Sequence, residues 1–300
     1  MGDLDLKQAI GEYRDIYLAY RNFADRTRGE YINDLEDLVE FLGGLRIADV
    51  RDVKLNHLVR YMAELDRRGF AGSTRKRKTI SIKSFFSFLY TEGCTAINVA
   101  KQLIPPLVEA RRPRYLTADE CKRLLESARG NTRDYAIIQL LLHTGIKLSE
   151  LTRLTVNDLQ TMEATDNKGN KVEYIRVVGN QRNKGRVIPL NQKACSAIED
   201  YLSNRAGSTS GFLFLNRIGE RLSERGVEKI VGKYLKLAGI SNASVNSLRH
   251  TFGTYHAAKG TDKITVQEVM GHRDSRTTGI YYSMTDEIRM SEMVKNGLEL

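Results

Sequence analysis

Apolar residues recur at helical spacing along most of the chain. Leu6, Ile10, Tyr13, Ile16, Tyr17 and Tyr20 fall every third or fourth position and predict a helix within residues 4–22. A second helix carries Tyr31, Leu35, Leu38, Phe41 and Leu42 and closes at Gly43-Gly44. A third runs from Leu55 to Asp66 and stops at Arg67-Arg68-Gly69. In the fourth, Ser73-Thr74 offer a cap, Arg75-Lys76-Arg77-Lys78 make the first turn, and Ile80, Ile82, Phe85, Phe86, Phe88 and Leu89 follow. Further on, Thr117-Ala118-Asp119-Glu120 reads as a capping box that starts another helix. The run Tyr135–His143 is apolar nearly all round, as a buried core helix requires, and ends at Thr144-Gly145. Between 161 and 190 the period changes: a turn at 166–170, alternation from Val172 to Val178, a second turn at 179–185, then Arg186-Val187-Ile188-Pro189-Leu190. Helical spacing returns at Gln192–Asn204, Ser223–Ala238 and Leu248–Lys259. Near the end, Ser283–Val294 is amphipathic, with Met284, Ile288, Met290, Met293 and Val294 on one face.

Three hundred residues, 41% of them hydrophobic, can fill two cores, and the length favours two domains. Three of the four prolines and several arginines crowd into Ile104-Pro105-Pro106 to Arg111-Arg112-Pro113-Arg114. Proline cannot donate to a helix ladder, so the division expected is a helical domain over 1–104, an extended basic linker over 105–116 and a second domain over 117–300. The net charge of +10 points to a polyanionic partner. It is unevenly spread: −5 over residues 1–50, +6 over 51–110 and +9 beyond. Cations in a first turn oppose the helix dipole, so helix stability does not explain Arg75, Lys76, Arg77 and Lys78; a solvated charged face or contact with phosphates does, and the linker residues Arg111, Arg112 and Arg114 suggest a strap along a polyanion. Three scattered cysteines without ligand spacing argue for a reducing compartment and against a zinc site. No leader and no apolar run of membrane-spanning length is evident, so a cytoplasmic, nucleoid-associated protein is expected.

The chemistry gathers between Val245 and Ser283, where Arg249, His272 and Tyr281 lie in one short region. A tyrosine hydroxyl ionises near pH 10, so it attacks phosphorus poorly without a proton acceptor and a prepared phosphate. Arginine offers a planar fork for two phosphate oxygens, and histidine donates or shuttles a proton. Together they describe attack on a phosphodiester: Arg249 clamps, His272 assists, and Tyr281 forms a covalent phosphotyrosyl link.

Asn246-Ser247-Leu248-Arg249-His250-Thr251-Phe252, then Met270-Gly271-His272, then Tyr281 nine residues on, resemble the carboxy-terminal signature of the tyrosine recombinases, the phage-integrase and Xer-type family. The resemblance implies a mainly α fold with a small antiparallel β-sheet, split into a helical core-binding domain and an α+β catalytic domain. It implies double-stranded DNA as partner, with Arg75, Lys76, Arg77, Lys78, Arg111, Arg112 and Arg114 on its phosphates, a dimer or tetramer on DNA held through the carboxy-terminal segment, and no metal or nucleotide cofactor. It also exposes departures. The family writes Thr-Gly-Leu-Arg-x-Ser-Glu-Leu where this chain has Thr144-Gly145-Ile146-Lys147-Leu148-Ser149-Glu150-Leu151, so Lys147 takes the first phosphate-clamping place. Asn246 stands where the family has its first histidine. In the 179–185 turn, Gln181 falls at the place of the proton-donating lysine, leaving Arg182 as a DNA contact and Lys184 as the substitute donor. A slow or altered recombinase is the first reading. A DNA-binding relative that no longer cuts, a type IB topoisomerase and a hairpin-forming resolvase are the alternatives.

Overall fold

The computed structural model describes residues 5–21, 23, 25–108, 112–165, 171–179, 185–205 and 210–295, with side chains beyond residue 286 and within 162–172 left aside. The chain divides into two compact units, Met1–Arg111 and Arg112–Leu300.

The first unit is all helical. Helix α1 (Leu6–Glu12) is capped by Asp5, whose carboxylate accepts from the Lys7 and Gln8 amides, and it continues into a wider π-helical turn over Tyr13–Leu18. Helices α2 (Asp25–Gly44), α3 (Leu55–Arg67) and α4 (Gly72–Thr91) complete it. Helix α4 starts one turn earlier than Ser73-Thr74 would place it, with Ala71 at its cap. The aromatic centre of α4 turns inward, so Phe85 and Phe86 are buried with Tyr13, Tyr61, Leu35 and Leu38.

One expectation is corrected in this unit. Lys78 does not face solvent: its side chain is 7% exposed, its Nζ lies 2.7 Å from Asp37 and 3.3 Å from Asp34, and it cannot reach a phosphate. Arg77 pairs with Asp34 at 2.6 Å and Glu30 at 3.0 Å, and Arg75 with Asp66 at 2.6 Å. A buried ammonium needs such partners because its desolvation is otherwise prohibitive. Burial alone would push Asp37 up, but hydrogen bonds from Lys78, Tyr61 and Arg68 outweigh it and hold the carboxyl at about 2. Of the four cations only Lys76 is exposed.

The second unit opens with the box foreseen at Thr117: its Oγ1 accepts from the Glu120 amide, and Glu120 accepts from the Thr117 amide. Arg114 donates to Glu120 at 2.5 Å and so is tied to this helix start. The helices are α5 (Ala118–Ala128), α6 (Thr132–Thr144) and the single turn α7 (Leu148–Leu151). Strands β1 (Leu159–Thr165), β2 (Lys171–Val177) and β3 (Arg186–Pro189) form an antiparallel sheet in chain order, with Ile175 opposite Leu159 on one side and Ile188 on the other. Helices α8 (Gln192–Asn204), α9 (Glu224–Leu237), α10 (Val245–Ala258), α11 (Lys263–Met270) and α12 (Ser275–Lys295) follow. Helix α6 is buried on nearly every face at the centre of this core, as its composition requires. Among the described residues, no helix is long and apolar enough to cross a membrane.

Candidate active site

Helix α11 ends at Gly271, whose φ of +65° gives the left-handed turn that stops a helix and leaves its last carbonyls unpaired. Three consecutive carbonyls at this end each receive a different cation. The Val269 oxygen accepts from Arg186 Nε at 2.6 Å, the Met270 oxygen from Arg249 Nη2 at 2.7 Å, and the Gly271 oxygen from Lys147 Nζ at 2.9 Å. The negative end of a helix dipole stabilises positive charge, and three such charges converge on it here from β3, α10 and the loop before α7. A side chain at 271 would run into Arg186, 2.9 Å from the guanidinium carbon, so the position suits glycine twice over.

Each cation has further support. Arg249 also donates to the carbonyl of Gly145, the left-handed residue that ends α6. Burial, with only 8% of the residue exposed, pulls its ionisation down to about 10, and it stays charged at neutral pH. Arg186 grips Glu150 with both Nη atoms at 2.8 Å, a fork-to-carboxylate pair. Burial would raise the Glu150 carboxyl, but the bonds from Arg186 overcome it and hold it below its usual range. Glu150 in turn accepts from the Lys147 amide at 3.0 Å. Burial lowers the Lys147 ammonium, opposed by Glu150 and reinforced by Arg249 and Arg186.

His272 follows Gly271 directly. Its Nδ1 lies 2.8 Å from the Thr278 hydroxyl, which orients the ring. Burial first, then the nearby Arg249 and Lys147 charges, pull its pKa down to about 4, so the imidazole is neutral at pH 7. Tyr281 sits on α12 with 1% of its surface exposed, its ring centroid 6.0 Å from that of His272. The ring lies flat on Gly253 of α10, where even a methyl group would come within 2.5 Å of Cε2. Burial raises the Tyr281 hydroxyl and the Arg249 charge lowers it, with burial the larger effect. The neighbouring Tyr282 points elsewhere, its hydroxyl donating to the Thr261 carbonyl at 2.5 Å.

The structure thus brings together Lys147, Arg249, His272 and Tyr281. Asn246 lies exposed on the first turn of α10. Arg111, Arg182 and Lys184 lie outside the described residues. Two neighbours escape sequence reading as site residues. Arg186 is one; the other is His250, whose Nδ1 lies 3.0 Å from the Tyr281 hydroxyl. Arg186 had a signal, a cation ending a turn beside the expected lysine. His250 had its place in the Arg249-His250-Thr251-Phe252 run, with no role attached to it.

The phage integrase family model matches residues 114–287, and the N-terminal SAM-like domain of phage integrases matches 10–93. The chain belongs to the phage integrase family. This tyrosine-recombinase family acts in site-specific DNA recombination, and its two-domain architecture is the one described above. Among curated relatives, tyrosine recombinase XerC of Roseiflexus castenholzii is 34% identical over 279 residues, covering 89% of this chain and 86% of that protein. XerC of Thermodesulfovibrio yellowstonii is 33% identical over 273 residues, covering 86% and 85%. Among solved folds, XerH recombinase bound to a palindromic difH substrate superposes with a TM-score of 0.76 at 21% identity, over 96% of this chain and 84% of that one. A lambda integrase dimer bound to a core site gives 0.72 at 17% identity, over 94% and 78%. Among the described residues of this family member, no group of three or more His, Cys, Asp or Glu could hold a metal ion.

Proposed function

We propose that the chain cuts and rejoins duplex DNA through a 3′-phosphotyrosyl link on Tyr281, in an active site that departs from the family pattern at Lys147 and Asn246. The observation that carries this reading is the convergence of Arg249, Lys147 and His272 beside the Tyr281 ring at the end of α11. Arg249 has five N–H donors, of which two meet carbonyls, and the others can grip the non-bridging oxygens of a phosphate. Lys147 adds a point charge without the bidentate fork, which weakens but does not abolish charge stabilisation. Asn246, at the open start of α10, can donate a hydrogen bond to the same phosphate. Lys184 as proton donor to the leaving 5′ oxygen, and Arg182 on the backbone, rest on the sequence alone.

In this reading residues 1–104 and 117–300 clasp the duplex, and 105–116 run along it as a strap. Lys76 is the strongest backbone contact of its cluster, with Arg75 and Arg77 at its flanks and Arg111, Arg112 and Arg114 on the strap. The protein works as a dimer or tetramer on DNA, linked through the segment after Tyr281. An apolar cavity of about 980 Å³ in the second unit, lined by Leu142, Phe252, Tyr255, Val266 and Val269 among others, supports a docking role for such a segment. The job is integration, excision or resolution inside the cell. The altered Lys147 and Asn246 favour one second reading, a DNA-binding relative that no longer cuts.

The test is a nicked suicide duplex of the native site, followed by denaturing electrophoresis and peptide mapping. A DNA-linked peptide modified at Tyr281 is expected. No adduct from wild type on a verified site selects the non-cutting reading, and modification at Tyr282 overturns the assignment of the nucleophile.

A further inference from the structure

The family pattern places a histidine where this chain has Asn246, and an asparagine amide cannot accept a proton from a phenol. Yet the Tyr281 hydroxyl is not left without an acceptor. His250, one turn along α10 from Asn246, brings Nδ1 to 3.0 Å from the Tyr281 oxygen, within the range a general base requires. The rings lie 5.9 Å apart between centroids, tilted by 55°. Both residues are fixed by packing: α10 and α12 meet at Gly253, which lets the tyrosine ring lie against the helix backbone.

We propose that His250 is the general base that removes the Tyr281 proton during cleavage, a role that Asn246 cannot fill. The proposal rests on Tyr281 being the nucleophile. In the step, the Tyr281 oxygen attacks the scissile phosphorus and forms the new P–O bond. The phenolic O–H bond breaks and its proton passes to His250 Nδ1. The bond to the 5′ oxygen breaks, and that oxygen leaves with the bonding pair and takes its proton from the general acid, the role proposed above for Lys184.

The surroundings suit the task. Burial, assisted by the charge of Arg249, lowers the His250 pKa, so its ring is neutral and Nδ1 can accept at physiological pH. Beside the pair lies His272 after α11, itself neutral, with Lys147 before α7 and Arg186 on β3 acting on that ring. The Arg249 charge opposes an imidazolium at His250. The incoming phosphodiester reverses that balance, because charge grows on its oxygens as the proton arrives at His250. His272, by contrast, has its Nδ1 on Thr278 and no hydrogen bond to the nucleophile among those of the described residues.

The experiment measures single-turnover adduct formation on the nicked duplex across pH, with DNA binding followed separately. His250→Gln keeps a polar side chain but no basic nitrogen. Its rate should fall on the order of a hundredfold near pH 7 and then climb about tenfold per pH unit, as hydroxide takes over. Binding should not change. Replacing Tyr281 by a difluorotyrosine, whose phenol ionises nearer neutrality, should restore most of the lost rate in the His250→Gln background. A His250→Gln enzyme with the wild-type rate and pH profile overturns the proposal while leaving Tyr281 as nucleophile. Should the variant lose binding as well, the wild-type profile decides. A rate that levels above about pH 6.5, where the imidazole is neutral, supports the base, and one rising tenfold per unit from about pH 6.5 to pH 9 overturns it. Absence of any wild-type adduct at Tyr281 removes the underlying reading instead.

Discussion

Gly253→Ala isolates the placement of the tyrosine ring. The added methyl would lie 2.5, 2.6 and 2.8 Å from Cε2, Cδ2 and Cζ of Tyr281. Carbon atoms rest about 3.5–4.0 Å apart, so the ring must retreat by roughly 1 Å. Overpacking of this kind costs about 1–3 kcal/mol. Alanine in place of a mid-helix glycine returns about 1 kcal/mol through helix propensity. The net loss is about 0–2 kcal/mol, at most roughly 8 °C in Tm for a unit of this size. A reacting group misplaced by about 1 Å, however, forfeits on the order of a hundredfold in rate. Rate is therefore the sensitive readout and stability the control. The variant should bind the native site with wild-type affinity, melt within a few degrees of the parent and form the phosphotyrosyl adduct about a hundredfold more slowly. Calorimetry, binding anisotropy and single-turnover cleavage of a nicked duplex give the three values. An adduct formed at the parental rate would refute the claim that this ring position is the reactive one.

Tyr281→Phe should abolish the adduct and spare binding. Tyr282→Phe should keep the adduct and lose only about 1 kcal/mol of stability with its bond to Thr261; peptide mapping and urea titration separate the two. Lys147→Ala should slow cleavage by a factor on the order of ten-squared to ten-cubed with little change in affinity, and Lys147→Arg should raise the rate by restoring a fork, both read in single turnover. Lys78→Ala removes the ammonium shared by Asp34 and Asp37 but leaves Arg77 on the first and Tyr61 and Arg68 on the second, so it should cost about 1.5–3 kcal/mol in chemical denaturation. Lys76→Ala should leave stability alone and reduce the slope of log affinity against log salt by about 1. The His272 pKa lies at about 4 in the folded state against an unfolded value near 6.5, so the unfolded chain binds the extra proton first. Stability should therefore decline as pH falls from about 6.5 toward 4, and His272→Gln should flatten part of that decline in urea titrations at the two pH values.

Elements whose burial follows a single stripe were legible in the sequence, and long-range pairings were not. Helix α8 spans the residues its periodicity marks, because Asn191 caps it and one face carries all its buried residues. Helix α10 begins three residues before its apolar pattern does: Ser244 closes a box with Ser247, and the polar Asn246-Ser247 hide the first turn from any hydrophobic count. Lys78 looked solvated because a run of four cations usually is. Its partners Asp34 and Asp37 stand some forty residues earlier, three apart on one face of α2, a pattern that acquires meaning only once α2 and α4 pack. In the site, Arg249, His272 and Tyr281 stand out by residue type and spacing. His250 stood in the same run without a role, because its contact is with a residue thirty-one positions away on another helix.

The array at the end of α11 has a further consequence. Arg186, Arg249 and Lys147 are each anchored to a main-chain oxygen at the end of α11, with Arg186 held by the Glu150 carboxylate as well. No substitution at 269 or 270 can delete those acceptors; only a change in backbone path can. The site's wiring is therefore insulated from ordinary drift along α11 and exposed at one point, the left-handed turn at Gly271. A tilt of this eight-residue helix would shift three positive charges in concert, so the segment works as a common chassis on which the three cations ride together.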